Sequence, residues 1–483
     1  MKLYSENENY KLYQGNMLDM LEVIEPNSID SIVTDPPYEL NFMGKGWDNS
    51  GIAFQPDTWK KCYEVLKPGG YLLAFGGSRT FHRIAVAIED AGFEIRDTIM
   101  WLYGSGFPKS MDISKQIDKR PNKTYEAKIR FGELIKEYRN KNNLTQRQLG
   151  KLIGVSRELI NLYEIKGNNQ QQIPTKEQWK KIKKILNIYD DMDYIYEEAE
   201  REVIGTKKGV GCFNNDEHYT VGGTKANDYD ITIPSTDLAK QWQGWGTALK
   251  PSFEPIIVAR KPFKGSLVDN VIEYGVGGIN IDECRVEPTG EDIGRNNTGA
   301  KNSPLNSKDG WNNNSMIGLD STGRYEGRFP ANTILTYDEI PSDERLRYFY
   351  CAKASKKDRD EGLDTFDQEK VNDGRNTPID NAFQRGETLR KNTHPTVKPT
   401  ELMQYLVRLV SPNGATILDP FNGSGSTGKA VMYENKERNK NYKYIGIELT
   451  EEYLPIAKAR IEYVCNLEEE KDNQTNIFDF IGG

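Results

Sequence analysis

A glycine-rich turn between a strand and a helix, near the end of this 483-residue chain, constrains its fold most. The segment 417–428 reads Ile-Leu-Asp-Pro-Phe-Asn-Gly-Ser-Gly-Ser-Thr-Gly and joins a strand predicted over 415–419 to a helix predicted over 426–434. Glycines let the backbone approach a ligand closely, and the start of a helix presents free N–H groups. The next predicted strand, 442–448, ends at Glu448, whose carboxylate can accept hydrogen bonds from ribose hydroxyls. The unit predicts a nucleoside-binding site.

The same turn differs from two other kinds of nucleotide site. Its glycines have the G-x-G-x-x-G spacing over 423–428, but Pro420, Phe421 and Asn422 separate them from the strand, whereas the glycines of dinucleotide-binding turns follow the strand directly. Lys429 follows as in G-x-x-x-x-G-K-[ST], but Ala430 stands where that motif has serine or threonine. A nucleoside that carries no pyrophosphate, such as S-adenosylmethionine, therefore fits the turn best. The three histidines and five scattered cysteines, with no C-x-x-C pair, give no reason to expect a metal site.

A second motif, Asp35-Pro36-Pro37-Tyr38, directly follows an apolar strand predicted over 28–34. Because prolines lack N–H donors, the Asp35 carboxylate and the Pro36 carbonyl form a pocket of hydrogen-bond acceptors. Such a pocket suits an exocyclic amino group, whose lone pair is exposed when two acceptors hold its hydrogens. Tyr38 adds an aromatic face, and stacking of a base on it is worth roughly 1–3 kcal/mol.

Strands and helices alternate through both ends of the chain, which predicts a mostly parallel sheet. Strands are predicted over 71–75, 93–101 and 254–260, helices over 58–66, 78–91, 400–410 and 449–464, and a turn over 67–70. Between 264 and 393, repeated Asn, Gly and Asp obscure any periodicity.

A basic helical stretch interrupts this alternation. Residues 121–189 hold 15 Lys and Arg against 6 Asp and Glu, whereas the whole chain has a net charge of −8. Such asymmetry indicates a nucleic-acid-binding module within an otherwise acidic protein.

Together the motifs resemble those of the amino-methyltransferases of DNA. Residues 35–38 are similar to the catalytic motif of that family, 419–425 to its methyl-donor loop and 394–399 to the segment before that loop. The order of the motifs resembles that of the permuted β group, and 245–263 resembles its prophage-type members. The resemblance implies a circularly permuted, mostly parallel α/β sheet of seven strands that binds S-adenosylmethionine.

The resemblance also implies roles for single residues. The catalytic group would be Asp35, Pro36, Pro37 and Tyr38, and the donor-binding group would be Asp419, Phe421, Asn422, Gly423, Ser424, Gly425 and Glu448, with His394, Thr396 and Lys398 at the methionine end of the donor. The chain departs from the family at Gly15-Asn16, where an acidic residue usually follows the glycine.

Residues 144–164 resemble a repressor-type helix-turn-helix. The resemblance implies helix N-caps at Thr145 and Ser156. Its small core would contain Leu149, Leu152, Ile153, Val155, Ile160 and Tyr163. Arg157, Glu158 and Asn161 would face the groove of DNA.

These motifs divide the chain into six predicted segments. They are a catalytic part of the core over 1–120, a helix-turn-helix insertion over 121–204, a continuation of the core over 205–263, a loop-rich target-recognition region over 264–393, a donor-binding part of the core over 394–470 and a tail over 471–483.

The expected activity is methyl transfer from S-adenosylmethionine to N6 of adenine at specific sites in double-stranded DNA, after the base has been extruded. Aspartate in the first position of the catalytic motif favours adenine, and cytosine N4 is the alternative. No cysteine follows a proline, which excludes covalent transfer to cytosine C5. A DNA-binding regulator with a ligand-sensing core is a second alternative, although a sensor has no need of acceptors for an amine.

Double-stranded DNA is the expected partner, while homodimerisation and a cognate restriction endonuclease are left open. The chain has no run of about 18 apolar residues that could span a membrane. Its first six residues lack the apolar core of a signal peptide. These features predict a cytoplasmic protein.

Overall fold

The computed structural model describes residues 2–40, 48, 50–103, 110–119, 125–165, 171–189, 192–196, 201–207, 229–286, 329–336, 349–351, 353–372 and 387–467. These residues form two units. The first contains the described parts of 1–106, 251–380 and 384–483, and the second contains those of 107–250. The predicted tail lies outside the described residues, as do large parts of 264–393.

The described residues contain fourteen strands and fourteen α-helices. The strands are β1 (Lys2–Glu6), β2 (Tyr10–Gln14), β3 (Ile29–Thr34), β4 (Leu66–Phe75), β5 (Glu94–Tyr103), β6 (Val203–Lys207), β7 (Tyr229–Thr232), β8 (Phe253–Arg260), β9 (Thr333–Thr336), β10 (Phe349–Tyr350), β11 (Glu369–Asn372), β12 (Glu387–Arg390), β13 (Thr416–Asp419) and β14 (Lys443–Glu448). The helices are α1 (Met17–Leu21), α2 (Pro56–Val65), α3 (Phe81–Asp90), α4 (Ile113–Lys119), α5 (Tyr125–Lys141), α6 (Gln146–Ile153), α7 (Arg157–Glu164), α8 (Lys176–Leu186), α9 (Asp237–Gln241), α10 (Leu267–Tyr274), α11 (Lys356–Asp360), α12 (Thr400–Val410), α13 (Ser426–Arg438) and α14 (Leu454–Asn466).

A mixed sheet organises the first unit, with its strands in the order β1-β2-β14-β13-β3-β4-β8-β5-β9-β10. Six neighbouring pairs are parallel. Strand β8 is antiparallel to β4 and β5, and β1 is antiparallel to β2. The mostly parallel α/β sheet agrees with the prediction from alternating strands and helices.

The prediction of seven strands is not confirmed, because the sheet contains ten strands within the described residues. Strand β1 pairs with β2 at one edge, and β9 and β10 extend the other edge. Strands β9 and β10 are short and come from 264–393, where polar residues hide brief apolar runs. This region also contributes α10, whose first turn has a capping box formed by Ser266 and Asp269.

Side chains of successive residues in the central strands pack on opposite faces of the sheet, as strand geometry requires. Ile32 and Leu72 pack with α1, α2 and α3 in one core. Val33 and Leu73 pack with α12, α13 and α14 in the other. The sheet therefore lies between two layers of helices, and the chain segments that follow β3, β13 and β14 leave it at the same edge.

The turn predicted over 67–70 lies inside β4, which corrects that prediction. The pairing of β3 with β4 skips from Leu66 to Tyr71, so the glycines form an irregularity within the strand. Gly69 has φ +80°, and a Cβ there would lie 2.1 Å from Nδ2 of Asn270. Asn270 also donates to the carbonyl of Pro68 (3.0 Å), so α10 packs closely against this irregularity.

In the second unit, α5 to α8 surround their own core, which includes Phe131 and Trp179. The predicted caps are confirmed, since Thr145 accepts from the backbone of Gln148 and Ser156 accepts from that of Leu159. Of the predicted core, Leu149, Ile153, Ile160 and Tyr163 are buried and Val155 packs against them. Leu152 is instead 56% exposed, because it lies on the outer face of α6.

The flanks of the helices belong to the same unit. Asp118 of α4 accepts hydrogen bonds from Arg201 (2.5 Å) and from the backbone of Ser235 (3.0 Å) and Thr236 (3.2 Å). The described parts of 107–120 and 205–250 group with the helices, whereas the sequence assigned these stretches to the core. No helix in the described parts of either unit has both the length and the apolarity needed to cross a bilayer.

Candidate active site

The two motifs that dominate the sequence meet at the edge where β3 and β13 end. These strands are parallel neighbours, with Ile417 opposite Ser31 and Leu418 opposite Ile32. The hydroxyl of Thr34, the last residue of β3, donates to Oδ1 of Asp419, the last residue of β13 (2.7 Å). The catalytic motif and the glycine-rich turn therefore leave adjacent strand ends together.

Asp35 forms an ion pair on one oxygen and has a free acceptor on the other. Its Oδ2 lies 2.6 Å from Nζ of Lys398. Its Oδ1 is buried and accepts no hydrogen bond from the described residues. Burial raises the pKa of Asp35 above its usual value, while the Lys398 ammonium opposes that shift. A buried acceptor without a donor is unfavourable, so Oδ1 is suited to receive a donor from a ligand.

Lys398 lies beside the catalytic motif, and its place at the methionine end of the donor stays a prediction. Its Nζ is 3.5 Å from Oε2 of Glu254 and 4.8 Å from the ring centroid of Phe75. Burial alone lowers the pKa of Lys398, but the carboxylates of Asp35 and Glu254 outweigh burial and the net shift is upward. The position follows from the fold, because Lys398 begins the turn into α12, which packs against β3.

Tyr38 is held at both ends. Its hydroxyl donates to Oε2 of Glu254 (2.9 Å), and its carbonyl accepts from Oγ1 of Thr80 (2.8 Å). Pro36 is buried and Pro37 is half-buried, so the backbone between Asp35 and Tyr38 offers acceptors and no N–H from these two residues.

The carboxylate of Asp419 is engaged by donors within the protein. Oδ1 accepts from the Thr34 hydroxyl and from the backbone N–H of Phe421 (3.1 Å), and Oδ2 accepts from the hydroxyl of Thr427 (2.6 Å). Burial raises the pKa of Asp419 to about 6, although these hydrogen bonds oppose the shift. Asp419 therefore shapes the turn by joining β3, β13 and α13, and its contact with a donor stays a prediction.

The glycines of the turn are required by its geometry. Gly423 has φ +51° and Gly425 has φ +73°, a region that side chains disfavour. A Cβ at Gly423 would lie 2.9 Å from Nε2 of His394, and one at Gly425 would lie 3.0 Å from Cα of Ala457. Directly before Gly423, Asn422 is anchored by the hydroxyl of Tyr444, which donates to its Oδ1 (2.7 Å).

Glu448 lies beside this turn, as the sequence predicts. Its Oε2 accepts from the N–H of Gly423 (2.7 Å), and its Oε1 accepts from the N–H of Thr450 (2.7 Å). Each oxygen keeps a further lone pair for a ligand hydroxyl. The N–H of Gly15 donates to the Glu448 carbonyl (3.0 Å), and the Asn16 side chain caps α1, so the departure from the family lies at the same strand ends.

His394 and Phe421 also border the turn. The His394 ring lies 4.6 Å from that of Tyr453 in an edge-to-face arrangement. Burial lowers the pKa of His394 to about 3, and Lys398 acts in the same direction, so the ring is neutral at pH 7. Phe421 packs 6.3 Å from the ring of Trp59. Thr396 is exposed, and its role at the donor stays a prediction.

A buried arginine that the sequence did not single out supports the turn from behind. Nη1 of Arg460, on α14, donates to the carbonyl (2.8 Å) and hydroxyl (3.1 Å) of Ser424, and its Nη2 donates to the carbonyl of Asp358 (3.3 Å). Asp358 pairs in turn with Lys429 (2.8 Å). Arg460 could have been identified because it lies at helical spacing from the apolar residues Ile456, Ala457 and Val464, which are buried. Glu254 could have been identified from its position at the start of a predicted strand.

The residues predicted to contact DNA lie in the second unit. Arg157, Glu158 and Asn161 are exposed on the first turns of α7, and α7 follows α6 after the three residues 154–156. Gly150 allows the close approach, because a Cβ there would lie 2.8 Å from the carbonyl of Val155. The structure thus places the three side chains together, on one helix and open to solvent.

Known proteins resemble this chain in part. The Type II methyltransferase M.HpaI of Haemophilus parainfluenzae is 32% identical over 149 residues, which cover 28% of this chain and 46% of M.HpaI. The Type II methyltransferase M2.LlaDCHI of Lactococcus lactis subsp. cremoris is 31% identical over 120 residues, covering 21% of this chain and 44% of that protein. The chain thus spans about half the length of these curated relatives.

Among solved structures, a complex of M1.HpyAVI with SAM aligns with 94% of this chain and 99% of its own, at 13% identity and a TM-score of 0.33. This likeness is too distant to bear on the fold or the activity. A family model does bear on identity, since the model described as DNA methylase, of the N6/N4 type, matches residues 29–459. The matched region contains the whole catalytic motif, the glycine-rich turn and Glu448, and the chain belongs to this DNA methylase family.

Proposed function

We propose that this chain methylates N6 of adenine at specific sites in double-stranded DNA, with S-adenosylmethionine as donor. The observation that carries the proposal is the free, buried Oδ1 of Asp35, next to two prolines and the Tyr38 ring. Oδ1 and the Pro36 carbonyl would accept the two hydrogens of an amino group. Tyr38 would stack on the extruded base.

The glycine-rich turn fits the donor. Its backbone approaches closely at Gly423 and Gly425, and the helix α13 begins directly after it. Glu448 keeps acceptor capacity for ribose hydroxyls, and neutral His394 borders the loop. The bound donor would supply a methyl group on a sulfonium, and the chain would orient the amine toward it. The adjacency of β3 and β13 brings the two halves of the reaction to one edge, in the motif order of the permuted group.

The second unit supports DNA as the substrate. Its basic character, the confirmed caps at Thr145 and Ser156 and the exposed side chains of α7 suit a helix-turn-helix insertion that contacts DNA. The names of the relatives M.HpaI and M2.LlaDCHI, both Type II methyltransferases, favour a site-specific enzyme of restriction-modification type.

Base-resolved modification sequencing of DNA from cells that express the full chain tests the proposal. We expect N6-methyladenine at one recurrent sequence. Asp35→Ala should abolish the modification, because the amine loses its acceptor, while calorimetric titration should still show donor binding. Asp57→Ala, an exposed aspartate on α2, is the matched control and should leave the modification unchanged.

Three other results would change the proposal. Detection of N4-methylcytosine at a recurrent sequence would identify cytosine, rather than adenine, as the target base. Full modification by the Asp35→Ala variant would overturn the role proposed for Asp35. The absence of any modified base with the unaltered chain would overturn the proposed activity and favour the regulator hypothesis.

A further inference from the structure

Three charged side chains from distant parts of the chain meet at the catalytic motif. Lys398 lies between Asp35 (2.6 Å) and Glu254 (3.5 Å), and the three side chains are 7%, 18% and 22% exposed. Glu254 lies at the start of β8, which is antiparallel to β4 and β5. The start of β8 is therefore at the same edge of the sheet as the ends of the parallel strands, where Asp35 and Lys398 lie. No part of the resemblance assigns Glu254 a role.

We propose that Glu254 is a positioning residue for the methyl transfer. It offsets the charge of Lys398, so that the negative charge of Asp35 remains available to the target amine, and it orients the Tyr38 ring through the tyrosine hydroxyl. This inference rests on the proposed function, and it concerns the charge at Asp35 and the orientation of the Tyr38 ring in the same site.

The charge argument follows from the chemistry of the target nitrogen. Its lone pair forms the new bond to the methyl carbon, and the electron pair of the broken carbon–sulfur bond stays on sulfur. The nitrogen carries the positive charge until one of its protons leaves to solvent. An Asp35–Lys398 pair alone is neutral and gives little stabilisation to that charge. With Glu254 the ionised cluster carries a net charge of −1, which favours a developing cation in a partly buried site.

The ring argument rests on contacts at both ends of Tyr38. Glu254 accepts from the hydroxyl (2.9 Å) and Thr80 donates to the carbonyl (2.8 Å), which limits rotation of the ring on which the base stacks. A loss of the Glu254 carboxylate therefore affects both the field at Asp35 and the stacking surface.

Other ionisable groups face this cluster and must be considered in any pH profile. Tyr103 lies near Glu254, His394 lies near Lys398, and Asp419 lies near Asp35. His394, with a pKa of about 3, stays neutral above pH 4, and Asp419, with a pKa of about 6, ionises within the working range. The test therefore compares each variant with the unaltered chain, in which Asp419 titrates in the same way.

The experiment is a double-mutant cycle on the full chain with S-adenosylmethionine and DNA that holds the modified sequence. We expect Glu254→Gln to lower kcat at least about ten-fold, with little change in KM for either substrate. Lys398→Met should shift the acidic limb of the kcat profile to higher pH, because Asp35 loses its cation and protonates more readily. The Glu254→Gln/Lys398→Met double variant, whose cluster again carries −1, should be faster than Glu254→Gln alone.

The outcomes separate this inference from the proposed function. Glu94→Gln is the matched control, because Glu94 pairs with Arg260 (2.8 Å) at the opposite end of β8 and should leave kcat unchanged. If the unaltered chain methylates DNA but Glu254→Gln is equally fast, or the effects of the two single changes simply multiply in the double variant, the inference is wrong and the proposed function stands. If Glu254→Gln unfolds, Glu254→Asp replaces it in the test. Because this variant keeps the negative charge, it should retain the pH dependence of kcat. A chain that methylates no DNA overturns both.

Discussion

The helices of the second unit and the catalytic edge of the sheet are held together over very different sequence distances. In the helical unit, Arg139 forms two hydrogen bonds with Glu164, 25 residues away, and Tyr163 donates to Gln178, 15 residues away. At the catalytic edge, Lys398 contacts Asp35 across 363 residues and Thr34 contacts Asp419 across 385.

These sequence distances indicate which region tolerates substitution without an effect on the other. Local caps and a separate core allow the helical unit to fold from its own residues, whereas the catalytic edge forms only when the order of the sheet is correct. Changes in the helical unit should therefore stay local, and changes in the layers beside the sheet should reach the donor loop.

The largest expected difference between the two regions concerns substitutions of two fully buried tryptophans. Trp179 contacts the ring of Phe131 (4.7 Å), and Trp59 packs near Phe421 of the glycine-rich turn (6.3 Å). Each change to alanine should cost about 3–5 kcal/mol of the stability of its own unit. We expect Trp59→Ala to weaken donor binding and Trp179→Ala to leave it unchanged, as measured by calorimetry alongside hydrogen exchange of both units. Loss of donor binding in Trp179→Ala would show that the two regions are energetically coupled.

Two glycine substitutions, whose expected effects are smaller, distinguish backbone strain from steric contact at the donor loop. Gly425→Ala combines a positive φ with a Cβ 3.0 Å from Ala457, whereas Gly414→Ala has φ +81° and open space around the Cβ. Both should lose about 1–2 kcal/mol of stability from the backbone conformation. Only Gly425→Ala should also bind the donor more weakly, because the start of α13 must shift. Equal donor affinities in the two variants, measured by titration, would show that this turn does not bind the donor.

The smallest expected effect concerns the exposed face of α7. Arg157→Ala should weaken DNA binding by about ten-fold and make the plot of log affinity against log salt shallower by about 0.9 for each phosphate that the variant no longer neutralises. The kcat at saturating DNA should not change, because α7 belongs to the second unit. Lys60→Ala, an exposed lysine on α2, is the control. An unchanged affinity and salt slope would assign the helical unit to a partner other than DNA.

Local sequence patterns were sufficient to predict individual strands, helices and caps of this protein. The strands before Asp35 and Gly423, the helix 400–410 and the caps at Thr145 and Ser156 were readable because periodicity and capping depend on neighbouring residues. The same local rules placed Glu448 at a strand end. They failed at 67–70, where proline and glycine signal a turn, but the pairing with β3 on both sides of the segment and the packing of Asn270 hold it within a strand.

Which of these elements contact one another depends on the tertiary fold. The position of Lys398 beside Asp35, the approach of Glu254 from β8, the support of Ser424 by Arg460 and the addition of β9 and β10 to the sheet depend on strand order and register. Those are set by packing summed over the whole first unit, and no short window of sequence contains that information. For this reason the motifs could be predicted one by one, while the charge balance of the site could not.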